Sequence, residues 1–248
     1  MATVNVLGPF KVLSRPLTLR PKDSKPPAAT GSARAPLARW KLGEAPGAEA
    51  ADGSGRGHPG QIQGNPRWGQ GPGQVGRALE LDGAGTYVDC ADAADFDFRD
   101  GLTVSLWLKP RDLKESAQTL AAKGSDTWRL RSESKTGKLV FALDGPQTTG
   151  KDRKKAPRVL SKRPVDDGQW HHVAGVYDGQ RIALYVDGEL EESVTASGVV
   201  ALNTEPVWLG NNSAARGEYF NGWLADVRLY GCGLTEAEIK ALHRESGK

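Results

Sequence analysis

Hydrophobic and polar residues alternate most regularly over residues 168–194, which read GQWHHVAGVYDGQRIALYVDGELEESV. Residues two apart lie on the same face of a β-strand, so the alternation predicts three strands. The pairs Asp178-Gly179 and Asp187-Gly188 separate the three runs. Asp-Gly is typical of tight hairpin turns, because glycine adopts a positive φ without strain. The segment therefore predicts a three-stranded antiparallel meander.

The two faces of this meander differ in polarity. We expect one face to be apolar and the other, which carries Arg181 and Asp187, to be wetter. A sheet with one apolar face needs a second layer to cover it, so the meander predicts a β-sandwich. The expected core residues are Val176, Ile182, Leu184 and Val186.

The rest of the chain repeats the same pattern in shorter segments. Further strands are predicted within PLARWKL (36–42), RALELDGAGTYVDC (77–90), LTVSLWLK (102–109), KLVFAL (138–143) and YFNGWLADVRLY (219–230). Thr235 and Glu238 have the spacing of a capping box, followed by Ile239 and Leu242 on one helical face. We predict an all-β, two-sheet antiparallel sandwich with a short C-terminal helix.

Composition limits the domain organisation and the partners. Residues 1–35 include RPKDSKPPAATGSARAP, which has too few large apolar side chains to fold alone, so we predict an N-terminal extension or linker there. Residues 36–248 form the predicted domain. The net charge of +3 is too small for a typical nucleic-acid binder, and no apolar run is long enough to span a membrane. The start lacks the apolar core of a signal peptide.

Two further features are candidates for chemistry. Asp52 opens a glycine-rich loop, DGSGRGHPG, whose carbonyl groups could surround a hard cation such as Ca²⁺; the alternative is a plain surface loop. The insertion at 146–164 is strongly basic and could contact an anionic ligand; the alternative is a solvated loop. Cys90 and Cys232 are either two inert thiols or one disulfide.

Taken together, these motifs resemble the bacterial laminin G-like domains of the concanavalin A-like lectin superfamily. The resemblance rests on WHHVAGVYDGQRIALYVDGELEE and FNGWLADVRLYGCGLTEAEIKAL, and it extends over about residues 36 to 245. It implies a jelly roll whose first and last strands are neighbours, which favours a Cys90–Cys232 disulfide.

The same resemblance implies a structural calcium site near the chain ends. Many members carry two consecutive acids in the final strand, whereas this chain has Ala225 before Asp226. Carbonyl groups or water would then have to supply the missing oxygen ligand. The implied ligands are Asp52, Gly55, Gly57, Asp82 and Asp226.

The superfamily also contains glycoside hydrolases, but the paired carboxylates that they place on one strand face are absent. We therefore expect a non-catalytic module that binds a polysaccharide, and the basic insertion favours an anionic or sulfated one. The alternative is a structural or protein-interaction module of a bacterial cell-surface protein. Either module would act outside the cell as part of a longer exported chain. The candidate ligand residues are Trp128, Arg129, Arg131, Lys151, Arg153, Lys154, Lys155 and Trp223. The alternative for Trp128 is a place in the core, since it shares a strand face with Leu130.

Overall fold

A computed structural model describes residues 34–44, 47, 49–113, 116–148, 156–215 and 217–246. The first strands are β1 (Ala38–Trp40), β2 (Glu49–Ala50), β3 (Gly60–Gln63), β4 (Arg67–Gln70), β5 (Arg77–Asp82) and β6 (Tyr87–Asp89). The middle strands are β7 (Leu102–Pro110), β8 (Thr119–Lys123), β9 (Trp128–Glu133), β10 (Lys138–Leu143), β11 (Gln147–Thr148) and β12 (Arg158–Leu160). The last are β13 (His171–Tyr177), β14 (Arg181–Val186), β15 (Glu189–Ser197), β16 (Val207–Leu209) and β17 (Asn221–Tyr230), followed by helix α1 (Glu236–Ser246).

Within the described residues, the strands form two antiparallel sheets. The larger sheet has the order β11-β15-β14-β13-β7-β17-β5-β4, with β1 also paired to β17. The smaller sheet has the order β12-β10-β9-β8-β16-β6-β3-β2. The first and last strands are neighbours, with Ala38 opposite Leu229. The predicted jelly-roll sandwich with a C-terminal helix is confirmed. No helix in the described ranges is both long and apolar enough to cross a membrane.

The main core lies between the inner faces of the two sheets. On β7 the residues alternate as the sequence predicts, with Leu102, Val104, Leu106 and Leu108 all buried in this core. Close packing across the sandwich leaves no room for a side chain at Gly175, where an added Cβ would lie 2.5 Å from the ring of Phe141.

The meander is present, but its outer face is not wet. Asp187 and Gly188 both have positive φ values, 54° and 81°, as a tight hairpin turn requires. Helix α1 covers the outer face and forms a second apolar cluster there. Val176 belongs to this outer cluster, together with Tyr185, so its predicted place in the main core was wrong. Ile182, Leu184 and Val186 lie in the main core as expected.

The expected disulfide is not formed, because the two cysteines lie on different sides of the larger sheet. Cys90 is a buried free thiol in the main core between the sheets. Cys232 is a partly exposed free thiol that packs against the outer cluster under α1. The sequence correctly predicts that the chain ends meet, but not which face each thiol occupies.

A histidine between two carboxylates connects the start of β13 to the second hairpin turn. His171 Nδ1 lies 2.9 Å from Asp187, and Nε2 lies 2.9 Å from Asp167. The hydrogen bond with Asp187 raises the pKa of His171 against the effect of burial, and Asp167 adds to the increase. Burial opposes the charges of both carboxylates, but their hydrogen bonds, including those with His171, lower their pKa values.

These shifts predict a pH-dependent contribution to stability. The raised pKa of His171 stabilises the fold fully below its ordinary value of 6.5, and this is lost as the pH rises through the folded-state pKa. The lowered pKa values of the carboxylates stabilise the fold above 3.8 and lose their effect as the pH falls. We expect His171→Gln to cost most unfolding free energy between pH 3.8 and 6.5 and less above it. Urea unfolding of both proteins between pH 5 and 9 tests this; a constant difference would contradict it.

Candidate functional site

Asp226, an implied calcium ligand, is instead enclosed by two arginines. It is 3% exposed and lies at a bulge in β17, with a positive φ of 46°. Arg39 Nε donates to Asp226 Oδ1 at 2.7 Å, and Arg228 Nη2 donates to Oδ2 at 2.6 Å. Burial opposes the charge of Asp226, but these hydrogen bonds hold its pKa below the ordinary value. Two guanidinium groups thus occupy the surroundings of this carboxylate.

Asp52 and Asp82 each organise their own turn. Asp52 accepts hydrogen bonds from the backbone N–H groups of Arg39, Ser54 and His58. Burial opposes its charge, but these bonds lower the pKa of Asp52 to about 2. Asp82 accepts from the backbone N–H groups of residues 84–86. The carboxylate oxygens of Asp52 and Asp82 are therefore engaged in hydrogen bonds that stabilise their own loops.

The implied calcium ligands are not brought together. Arg39 connects Asp52 to Asp226, but Asp82 pairs with Asn221, five residues before Asp226 on β17. That spacing corresponds to about 15 Å along a strand. Gly55 and Gly57 lie in the Asp52 loop, where both have positive φ. In the described part of the chain, no group of three or more His, Cys, Asp or Glu side chains could hold a metal ion. The residues do not fit the predicted calcium site.

The predicted ligand residues do not form one site either. Trp128 is fully buried in the main core and cannot contact a ligand, because strand alternation turns it inward with Leu130. Arg129 and Arg131 lie on the opposite face of β9, and Arg129 is paired with Asp144 at 2.9 Å. The basic residues Lys151, Arg153, Lys154 and Lys155 lie outside the described residues.

Trp223 lies on the outer face of the larger sheet, within a row of polar side chains. On neighbouring strands, Trp223 is directly opposite both Lys109 and Glu80, and Glu80 is opposite Arg67. The row therefore crosses β7, β17, β5 and β4 in register. Directly opposite residues on one face have Cβ atoms about 5 Å apart, so a single ligand could contact several of them. We call this row, with Arg111, the Trp223 groove.

Trp223 lies near an arginine and a lysine, and hydrogen bonds hold the arginine in place. Arg111 lies 4.2 Å from the centre of the Trp223 ring, and Lys109 Nζ lies 5.6 Å from it. Arg111 also bonds to Glu80 at 2.6 Å and to Asn221 Oδ1 at 3.3 Å. The absence of a side chain at Gly69 leaves room for the indole ring, since an added Cβ would lie 2.8 Å from Trp223 Nε1. The ring and the guanidinium group are thus preorganised.

Beside this ring lies an open polar depression. Its volume is about 360 Å³, and Asn65, Arg67, Glu80, Asp82 and Arg111 line it. Glu80 partly neutralises Arg111. Together, the row and the depression contain three positive side chains, on Lys109, Arg67 and Arg111, and two negative ones, on Glu80 and Asp82, so their described residues have a net charge of +1. Sequence reasoning identified Trp223 but missed Lys109, Arg67 and Arg111, since no sequence signal places β4, β5, β7 and β17 side by side.

Comparison with known proteins identifies the family. The Laminin_G_3 model, described as the concanavalin A-like lectin/glucanases superfamily, matches residues 82–240. Adhesion G-protein coupled receptor V1 of Danio rerio is 28% identical over 154 residues, covering 59% of this chain. Laminin subunit alpha-3 of Homo sapiens is 39% identical over 77 residues, covering 30% of it. The chain spans about 2% of the length of each of these relatives.

Solved structures share the fold. Domain 4 of AbnA, an extracellular GH43 arabinanase from Geobacillus stearothermophilus in complex with arabinotriose, gives a TM-score of 0.60 at 21% identity. The match covers 84% of this chain and 98% of that domain. The binding domain of Paraclostridial Mosquitocidal Protein 1 gives 0.64 at 16% identity, covering 83% of this chain and 51% of that one. At these identities the likeness concerns the fold alone.

The Asp226 cluster predicts a large loss of stability on mutation. Asp226→Asn leaves Arg228, which is 5% exposed, without a buried counter-charge. Breaking a buried ion pair from one side costs about 3–5 kcal/mol, so we expect a loss of this size in unfolding free energy. Asp178→Asn is the matched control, since Asp178 is exposed and lies 3.8 Å from Arg181; it should cost less than about 1 kcal/mol. Equal losses in the two variants would contradict the assignment.

The same geometry predicts that calcium does not stabilise the domain. A ligand at a hundred times its dissociation constant stabilises a protein by about 2.7 kcal/mol, which a melting curve detects readily. Because arginines surround Asp226 and Asp82 lies apart from it, we expect equal melting temperatures in 1 mM CaCl₂ (about a hundredfold excess over a 10 µM site) and in EDTA. A calcium-dependent increase that Asp52→Asn abolishes would restore the predicted metal site.

Proposed function

This chain belongs to the Laminin_G_3 family of the concanavalin A-like lectin/glucanases superfamily, and we propose that it is a non-catalytic glycan-binding module. The fold is one whose solved neighbours include toxin binding domains and the arabinotriose-complexed domain of an arabinanase. What those proteins bind is known for them and not for this chain. The proposal therefore rests on the chain's own residues.

The observation that carries the proposal is the Trp223 groove. Sugar sites combine an aromatic ring, which packs against the C–H face of the sugar, with a few fixed polar groups that bond its hydroxyls. Trp223 is half-buried, and Arg111, which lies over its ring, lines the neighbouring depression together with Arg67 and Glu80. Arg111 uses part of its five-donor guanidinium on Glu80 and Asn221, which fixes its plane and leaves donors for a ligand.

The charge of the groove favours an acidic glycan. Lys109 and Arg67 lie on either side of the Trp223–Glu80 pair in the row. A sulfate or uronate group on a sugar bound at Trp223 would lie near the positive charges of Lys109 and Arg67. The guanidinium group of Arg111 can form two parallel hydrogen bonds with a carboxylate or sulfate. The role predicted for the basic insertion stays a prediction, because its lysines and arginines at 151–155 lie outside the described residues.

The hydrogen bonds of the carboxylates near the groove support a non-catalytic role. Glycosidases need one carboxyl group as an acid and another as a nucleophile or base. Here Glu80 accepts a hydrogen bond from Arg111, and Asp82 accepts hydrogen bonds from the backbone N–H groups of residues 84–86. Both carboxylates are thus already engaged within the protein. We propose an extracellular location, which agrees with the extracellular enzyme that carries the similar arabinanase domain.

The test is a binding series with neutral, uronate-containing and sulfated polysaccharides at 25 and 300 mM NaCl. We expect binding to an acidic glycan that weakens in high salt, because exposed charges are screened. Trp223→Ala should reduce affinity more than tenfold, and Lys109→Ala and Arg67→Ala about three- to tenfold each at low salt. Isothermal titration calorimetry provides the affinities.

Arg99→Ala is the matched control, because Arg99 is exposed and precedes β7 at the end opposite Lys109. It removes one positive charge elsewhere and should leave the affinity unchanged. Equal losses in Arg99→Ala and Lys109→Ala would indicate attraction by net charge alone and would contradict a defined groove. A complete absence of binding at low salt would favour the protein-interaction alternative.

A further inference from the structure

Three aromatic rings meet on the outer face of the smaller sheet, away from the Trp223 groove. Tyr87 on β6 and Trp208 on β16 have ring centres 4.4 Å apart at an angle of 38°. Tyr219 lies 6.3 Å from Tyr87. All three side chains are partly exposed, and exposed rings that lie next to one another are typical of binding surfaces. They form a continuous aromatic surface that the packing of the core does not require.

The loop that follows β16 forms a wall next to these rings. Together they enclose a cleft of about 360 Å³, lined by Trp208, Asn211, Asn212, Ser213, Ala215, Gly217 and Tyr219. The loop is held in shape: Asn212 Oδ1 accepts from the Ala214 N–H, and Asn212 Nδ2 donates to Ser125 Oγ. Phe220 N–H donates to the Gly210 carbonyl and closes the loop. The cleft is therefore preformed.

Three residues that line the cleft carry buried polar atoms that find no partner among the described residues. They are the donor Trp208 Nε1, the acceptor Asn211 Oδ1 and the hydroxyl Ser213 Oγ, all buried. Asn211 is only 3% exposed. A buried polar group without a partner destabilises the fold, so folded proteins rarely keep several close together unless something else bonds to them.

These groups define the chemistry of a ligand. The indole N–H donates, the Asn211 oxygen accepts, and the Ser213 hydroxyl can do either, so together they suit the hydroxyl groups of a ligand. The aromatic rings next to them offer an apolar surface. None of the described residues that line the cleft is charged. A neutral sugar ring has this combination of hydroxyl groups and C–H faces. We propose that the Tyr87–Trp208–Tyr219 cleft is a second binding site, for a neutral sugar residue.

The second site is independent of the Trp223 groove. The groove lies on the outer face of the larger sheet, and the cleft on the outer face of the smaller sheet, with the core between these faces. The groove is charged and suits acidic glycans, whereas the cleft lacks charge among its described lining residues. A domain with both sites could bind two glycan segments at once, which would raise its avidity for a polymer without further contacts.

The key variant is Asn211→Ala. It removes an acceptor that has no partner among the described residues, so the melting temperature should change little, because the loss of a buried unpaired group offsets the loss of packing. Affinity for the sugar should fall at least tenfold. A residue that only supported the fold would lower stability and would leave the affinity of the folded fraction unchanged.

The experiment uses the full chain and neutral oligosaccharides as probes: arabinotriose, cellotriose, xylotriose and galactotriose. Binding is followed in ¹H–¹⁵N spectra by the indole N–H signal of Trp208, assigned with Trp208→Phe. We expect a saturable shift of that signal with at least one probe, loss of the shift in Asn211→Ala and no change in Trp223→Ala.

Two results would overturn the proposal. One is the absence of a Trp208 indole shift with every probe at 10 mM. The other is neutral-sugar binding that Trp223→Ala abolishes and Asn211→Ala leaves intact, which would assign it to the groove instead. Failure of acidic-glycan binding at the groove would not affect this outcome, because the two tests use different probes and variants.

Discussion

The buried ion cluster around Asp226 holds the two ends of the domain together. Arg39 on β1, Asp226 and Arg228 on β17, and Glu245 on α1 form one chain of ion pairs. The bulge at Asp226 and its positive φ place the carboxylate between the two guanidinium groups. A buried charge is tolerated only when its partners replace water. The geometry of β1, β17 and α1 therefore depends on this carboxylate.

The cluster also explains why the implied calcium site does not fit. A carboxylate at a chain-end seam can be neutralised by a metal ion or by fixed cations of the protein. Here Arg39 and Arg228 supply the positive charge, and Asp52 is engaged with backbone donors of its own loop. With these two guanidinium groups in place, we expect the seam to be independent of the calcium concentration. Their positive charge also disfavours a second cation there, since like charges repel in a buried site.

The outer faces of the two sheets differ in their exposed residues. Helix α1 covers part of the outer face of the larger sheet and leaves the rest accessible. The helix covers the meander, and His243 stacks near His172 and Trp107. Burial and the nearby His243 and Arg228 charges lower the pKa of His172 to about 3, so it stays neutral in this covered region. Beyond the helix, Trp223 and its flanking cations remain accessible. On the other sheet, the three aromatic rings lie next to Asn211, Asn212 and Ser213 of the loop that follows β16.

The sequence by itself determined the fold class, the meander with its Asp-Gly turns, the capping box of α1 and the inward row of β7. These features depend on residues close together in the chain, through the two-residue period of a strand and local hydrogen bonds. Only the tertiary structure decided that Lys109, Trp223, Glu80 and Arg67 form one row, that Cys90 and Cys232 lie apart, and that Tyr87 meets Trp208. Those relations depend on which distant strands pair and in what register. The packing of the whole core fixes that pairing, and no local pattern encodes it.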